Sequence, residues 1–341
     1  MDKKPLIVLT GPTAVGKTSL SIKLAKAVNG EIISADSMQV YRYMDIGTAK
    51  IKAEEMAGIP HYLIDEYDPD EEFNVFEFKK QAKKYIDDIH SKGKVPILVG
   101  GTGFYIQAVL YDIDFTENDT DYEYRIRLEE MAKDYGGKYL HDKLVEIDPE
   151  SAKVIHPNNK KKVIRALEYY FLSGEKISAH NKAQKDKESP YNYCYFVLNK
   201  DRAKLYNDIN KRVDIMLKEG LLDEVKHLSN MGYSSDLVSM KGLGYKEILE
   251  YLAGKSTLDE AINILKKETR HYAKRQITWF KREKDVIWIN IDHSAKDKSC
   301  ARNFVPVAQS LQVTKKGMGI YMDDEEILDF MLKNIKEKGL L

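Results

Sequence analysis

The chain has 341 residues, 43% of them hydrophobic, and its 54 Lys and Arg balance 54 Asp and Glu for a formal net charge of zero. That is enough apolar material for a buried core, and the balance rules out a uniformly basic or acidic polyelectrolyte, so any affinity for a charged partner must come from how charges are arranged. Two cysteines, Cys194 and Cys300, are too few for a disulfide framework and lack zinc-site spacing, which points to a reducing, cytoplasmic setting. The chain enters an apolar segment by residue 5 with no room for a signal peptide, and no apolar run approaches the roughly 20 residues of a membrane span, so no membrane partner is expected.

Taken in order, short apolar runs at residues 6–9, 31–35 and 95–99 alternate with amphipathic stretches, the first at 19–28. This rhythm predicts a parallel sheet with crossover helices. From about 118 to 187 the strand pattern stops and apolar residues recur at helical spacing (Leu140, Leu144, Ile147; Val163, Leu167, Tyr170), which predicts a helical insertion. Ser189-Pro190 closes it, and residues 193–198 read as a strand returning to the sheet. Long amphipathic helices over about 202–230 and 258–283 follow, then a last strand at 286–290. The predicted domains are therefore a first part of an α/β core, 1–117, a helical insertion, 118–189, and a second part of the core, 190–341.

Charge is segregated along this neutral chain. Residues 153–187 hold nine Lys or Arg against three acids, and residues 266–284 hold eight against two. On a helix, Lys267, Arg270, Lys274 and Lys281 fall near one face over about 21 Å, a length that tracks several phosphates, although such runs also make ordinary solvated surface.

The sharpest motif is Gly11-Pro12-Thr13-Ala14-Val15-Gly16-Lys17-Thr18, between an apolar strand and an amphipathic helix. It satisfies the P-loop pattern in the context the pattern needs. Glycines let backbone N–H groups converge at a helix N-terminus, where the helix dipole also favours an anion. Lys17 is placed to neutralise a phosphate oxygen, and the Thr18 hydroxyl to meet a phosphate-bound Mg²⁺. The pattern most often signals a nucleotide-binding or ATP-binding kinase or ATPase. Against that, the strand at 95–99 runs into Gly100-Gly101-Thr102-Gly103 without the carboxylate such enzymes commonly use for Mg²⁺. A carboxylate does follow the strand at 31–35: Asp36, facing the ligand crevice with Thr102 if the sheet is open and parallel, or capping a helix.

These segments resemble one family. The P-loop, Asp36-Ser37-Met38-Gln39-Val40-Tyr41, residues 44–50 (MDIGTAK) and Val99-Gly100-Gly101-Thr102-Gly103 are similar in order and spacing to tRNA dimethylallyltransferases, as are His156-Pro157-Asn158-Asn159, Arg165-Ala166-Leu167-Glu168, Gly244-Tyr245 and residues 273–280 (AKRQITWF). The resemblance extends to about residue 292 and implies a P-loop NTPase-like parallel core. In it the bound diphosphate is a leaving group rather than a phosphoryl donor. It also implies that Asp36 takes the proton from an adenine N6 amine next to a tRNA anticodon as the amine attacks the allylic carbon of dimethylallyl diphosphate. It further implies that Thr102, Arg212 and Lys17, with Mg²⁺, stabilise the departing diphosphate. Taken alone, Arg212 reads as a surface helix residue.

The positions that match tRNA contacts are Asp36, Ser37, Met38 and Gln39, Thr102 and Gly103, Arg125, then Lys161, Lys162, Val163, Ile164 and Arg165, then Lys241, Gly242, Leu243, Gly244, Tyr245 and Lys246, and finally Lys274, Arg275, Gln276 and Lys281. They overlap both basic segments. An anticodon stem-loop is the expected RNA, and a monomer the expected state. The rivals are a prenyltransferase of free adenine nucleotides, which needs no RNA-binding half, and a P-loop small-molecule kinase. The stretch 294–320 does not align with the family pattern, and the expected helix at 324–338 corresponds to the family's usual last one.

Overall fold

A computed structural model describes residues 3–115, 122–185, 187–291 and 324–341. Cys300 and residues 294–320 lie outside the described residues. The chain divides into two compact units, one of residues 1–109 with 191–341 and one of residues 110–190.

The first unit is built on a six-stranded sheet in the order β3-β2-β4-β1-β5-β6, every neighbouring pair parallel. Its strands are β1 (Lys4–Thr10), β2 (Gly30–Ala35), β3 (His61–Tyr62), β4 (Val95–Gly100), β5 (Tyr191–Asn199) and β6 (Val286–Asn290). The near-continuous apolar runs of the central strands follow from helices covering both faces; Leu6, Ile7, Val8 and Leu9 are all fully buried. Connecting β1 to β4 are α1 (Lys17–Ala27) and α2 (Val75–Ser91), and α3 (Gly103–Leu110) follows β4. After β5 come α9 (Arg202–Glu219), α10 (Leu221–Asn230), α11 (Tyr245–Leu252) and α12 (Leu258–Phe280), with α13 (Asp324–Glu337) at the end. Ile327, Met331 and Ile335 of α13 join the core cluster that contains Leu20 and Leu24 of α1.

The single helix expected over 202–230 is two. Gly220 takes φ 106°, a left-handed conformation that ends α9, and α10 starts at the next residue. The two-residue β3 was not predicted, being too short for an alternating pattern.

The second unit is all helix: α4 (Tyr122–Asp134), α5 (Gly136–Ile147), α6 (Pro149–Val154), α7 (Lys160–Ser173) and α8 (Ile177–Lys185). Its span starts at Leu110, the last residue of α3, where the expected boundary was 118. Leu128, Leu140, Leu144, Val163, Ile164 and Leu167 form its core. Buried Asp148 holds two helix starts, accepting from Ser151 N at 3.1 Å and from Ser178 N at 2.9 Å. Burial pushes its carboxyl up, but hydrogen bonds from Ser178 and Ser151 outweigh this and hold it below the ordinary range. No helix among the described residues is long and apolar enough to cross a membrane.

Candidate active site

Parallel strands gather their C-terminal ends on one edge of the sheet, and the motif residues of the first unit follow those ends. The loop after β1 rises from Gly11 to Lys17. Gly11 adopts φ 149°, and a Cβ there would lie 2.5 Å from Leu198 O at the end of β5, so only glycine fits between the strands. Gly16, at φ 98°, precedes α1 without a side-chain cap, which leaves the first amides of the helix directed at the loop. Lys17 folds over this loop, its Nζ donating to Gly11 O at 3.0 Å and Pro12 O at 2.9 Å. Thr18, in the first turn of α1, is exposed.

The ends of β2 and β4 are stitched side by side. Thr102 N donates to Ala35 O at 3.1 Å, and its Oγ1 accepts from Ser37 N at 3.2 Å. Thr10 Oγ1 donates to Gly100 O at 2.6 Å. Asp36 sits at this seam. Its Oδ1 accepts from Met38 N at 2.9 Å and Gln39 N at 3.4 Å, the cap-like bond its sequence allowed, here closing a turn rather than a helix. The same bonds fix the carboxylate, and Oδ2 has no hydrogen bond among the described residues.

Electrostatics ties Lys17, Arg212 and Asp36 into one group. Burial, and then the Arg212 guanidinium, push Lys17 down to about 8, with Asp36 opposing. Arg212, on α9, is likewise pushed below its ordinary value by burial while Asp36 pulls it back up. Asp36 also raises the Tyr272 phenol, already raised by burial. Lys17, Arg212 and Asp36 are thus each half-buried and near enough for their charges to act on one another.

The remaining sequence-predicted positions divide by exposure. Met38 packs against Gly242, where a Cβ would come within 2.5 Å of Met38 Cε, so the 241–246 segment meets the Asp36 turn. Leu243 is half-buried, and Lys241 and Lys246 are exposed; Lys241 Nζ donates to Asp236 O at 2.7 Å. Gly103 packs on Trp279 of α12, whose Lys274 and Arg275 are exposed, as is Lys281 just beyond it. In the second unit Lys161, Lys162 and Arg165 are exposed along α7. Arg125 lies 3.6 Å from Glu129 and 3.9 Å from the buried Glu168.

Four of the positions matched to RNA contacts have buried side chains. Val163 and Ile164 are 0% and 5% exposed and form the core of the helical unit. Tyr245 is fully buried, its hydroxyl donating to Glu224 Oε1 at 2.7 Å. Gln276, 6% exposed, is spent on backbone partners: Oε1 accepts from Thr13 N and Nε2 donates to Gly101 O, both at 2.9 Å. The side chains of all four pack within the protein.

Sequence reasoning missed what braces residues 44–50. Glu224 of α10 accepts from Asp45 N, Ile46 N and Gly47 N at 2.9, 2.7 and 3.0 Å, besides Tyr245. Lys50, its side chain only 4% exposed, donates to Tyr41 O at 2.7 Å and pairs with Asp45 at 2.6 Å. Glu224 lies at least 177 residues from the turn it braces, so nothing in local spacing marked it.

No group of three or more His, Cys, Asp or Glu side chains able to hold a metal occurs among the described residues. A Mg²⁺ ion binds through few protein oxygens when phosphates supply the rest, and the exposed hydroxyl of Thr18 at the helix start suits that mode.

The fold and site define an α/β protein that presents a glycine-rich loop, two cations and a fixed carboxylate at one edge of a parallel sheet. The model of the IPP transferase family matches residues 39–283. The chain belongs to that family. It is 61% identical over 312 residues, 92% of this chain and 100% of the relative, to a tRNA dimethylallyltransferase of Lachnoclostridium phytofermentans. It is 54% identical over 298 residues, 87% of this chain and 95% of the relative, to one of Acetivibrio thermocellus. Among solved structures, a tRNA isopentenylpyrophosphate transferase from Bacillus halodurans matches with TM-score 0.68 at 44% identity, over 98% of both chains. A eukaryotic dimethylallyltransferase acting on tRNA matches with TM-score 0.74 at 33% identity, over 84% of this chain and 74% of that one.

Proposed function

We propose that this chain is a tRNA prenyltransferase that moves a dimethylallyl group from dimethylallyl diphosphate to the N6 amine of the adenosine beside the anticodon, at tRNA position 37. The observation that carries this reading is Lys17, bonded to the carbonyls of the glycine loop and within electrostatic reach of Arg212 and Asp36, in a member of the IPP transferase family. Lys17 and Arg212 neutralise the diphosphate, Thr102 donates a hydrogen bond to it, and the Gly11–Thr18 backbone cradles it. As the C1–O bond of the donor breaks, its electrons leave with the diphosphate while the N6 lone pair forms the new N–C1 bond. Asp36 removes the amine proton through its free Oδ2.

Magnesium, held by Thr18 and the diphosphate oxygens, would add positive charge on the leaving group. The exposed lysines and arginines of α7 and of α12 with Lys281 supply phosphate contacts for an anticodon stem-loop, each from its own unit. The products are N6-dimethylallyladenosine in tRNA and free diphosphate, formed in the cytoplasm by a monomer. The test is mass spectrometry of nucleosides from unmodified tRNA incubated with the protein and dimethylallyl diphosphate. The expected result is prenylated adenosine in tRNA or an anticodon stem-loop and none in AMP. Efficient modification of AMP sinks the tRNA assignment.

A further inference from the structure

We infer that Gln276 is a positioning residue for the donor, setting the backbone of the phosphate loop and the Thr102 loop together from α12. The inference rests on the proposed function in assigning the anion to a prenyl diphosphate. The side chain occupies the seam between the loops after β1 and β4 and uses both ends of its amide there, accepting from Thr13 N and donating to Gly101 O. Among the acidic and amide side chains of this length only glutamine meets both demands at once, since an ionised carboxylate only accepts. Gly101 has no Cβ because one there would overlap Gln276 Nε2, so the residue types on the two sides of the contact are matched.

Three strand ends depend on this contact. Thr13 belongs to the loop that carries Lys17, and Gly101 precedes Thr102, which is bonded to Ala35 and Ser37 on either side of Asp36. Gln276 therefore fixes the spacing between the groups that hold the diphosphate and the group that takes the proton. The sequence resemblance counts this position among tRNA contacts, but its amide is buried and engaged by backbone at each end. The exposed neighbours Lys274 and Arg275 remain free to meet RNA from the same helix.

The test compares wild type, Gln276→Glu and Gly101→Ala, each checked for folding by circular dichroism. Binding of inorganic diphosphate and of dimethylallyl diphosphate is measured by calorimetry without RNA, and tRNA affinity by filter binding. Gln276→Glu keeps the shape but turns a donor into an acceptor facing Gly101 O, and is expected to weaken both diphosphates by about tenfold or more while tRNA affinity stays within about twofold. The defect should narrow as the pH falls and the new carboxyl protonates, because a protonated acid donates again. Gly101→Ala, which displaces the amide without adding charge, should weaken diphosphate in the same direction.

Wild-type diphosphate affinity in a folded Gln276→Glu protein overturns the inference, as does a loss confined to tRNA. A pH-independent defect also overturns it, because it assigns the loss to general destabilisation. Because inorganic diphosphate is the probe, the outcome stands even if wild type transfers no prenyl group, which would refute the proposed reaction alone.

Discussion

Lys17 holds its proton beside a second cation, and this makes its chemistry sensitive to pH. Its ordinary value is 10.5, and burial followed by the Arg212 charge brings it to about 8. As pH rises through about 8 the ammonium is lost and with it attraction for a diphosphate, so the donor Kd should increase above that pH in calorimetric titrations. An affinity flat from pH 7 to 9.5 would remove Lys17 from the donor site. Lys17→Ala should abolish most donor binding and leave tRNA binding near wild type, since its charge acts on the loop rather than on RNA. For Asp36, the substitution Asp36→Asn retains an oxygen for the Met38 and Gln39 amides but not the base. The fold should survive while the single-turnover rate falls by roughly 10²- to 10⁴-fold. The placement of both residues beside strand ends was legible in the sequence, because the P-loop spacing and a carboxylate after an apolar run are local signals. Gln276 was legible only as part of a motif, and its role was not, because an amide inside a basic helix looks the same in sequence whether it faces water or backbone.

Helices in this molecule act as braces for loops that precede them in the chain by many residues. Glu224 on α10 collects three amides of the 45–47 turn, and Tyr245 at the start of α11 donates to the same carboxylate. Removing that hydroxyl by Tyr245→Phe should cost about 1 kcal/mol in urea denaturation with little change in m-value, the net worth of one buried hydrogen bond. An unchanged stability would mean that packing alone holds the turn. Periodicity could not reveal this brace, nor the break at Gly220, because one glycine does not disturb a helical pattern that continues on either side. The amphipathic character of α7 was readable, and its exposed lysines are testable as an element. Replacing Lys161 and Lys162 with Ala should weaken tRNA binding and flatten its log-log salt dependence by about 0.7 to 0.9 for each phosphate no longer neutralised. An unchanged slope would leave α7 as ordinary solvated surface.

At the scale of the whole molecule, zero net charge conceals a division of labour between the two edges of the sheet. The N-terminal edge of β2 is pinned by Glu31, 2% exposed, which pairs with Lys94 at 2.7 Å and Lys92 at 3.0 Å. Burial raises the Glu31 carboxyl, but hydrogen bonds from Lys94, Tyr62 and Lys92 outweigh it and bring it down to about 2 from 4.5. The folded state thus releases this proton more readily than the unfolded chain does. Its contribution to stability is full above about pH 4.5 and lost as pH falls towards 2, so Glu31→Gln should flatten the acid limb of a stability-against-pH curve. The order of the strands has a different consequence, felt while the protein is being made. A ribosome releases β1, β2 and β4 first, then the whole helical unit, and only afterwards β5, whose Leu198 abuts Gly11. Gln276, which locks the loop, follows Thr13 by 263 residues. A nascent chain therefore carries its most diagnostic motif for most of its synthesis without the surroundings that give the motif shape, exposing apolar strand edges meanwhile. Arrested chains ending at residue 190 should fail to retain diphosphate and should recruit chaperones, whereas chains extended past residue 291 should gain affinity for diphosphate.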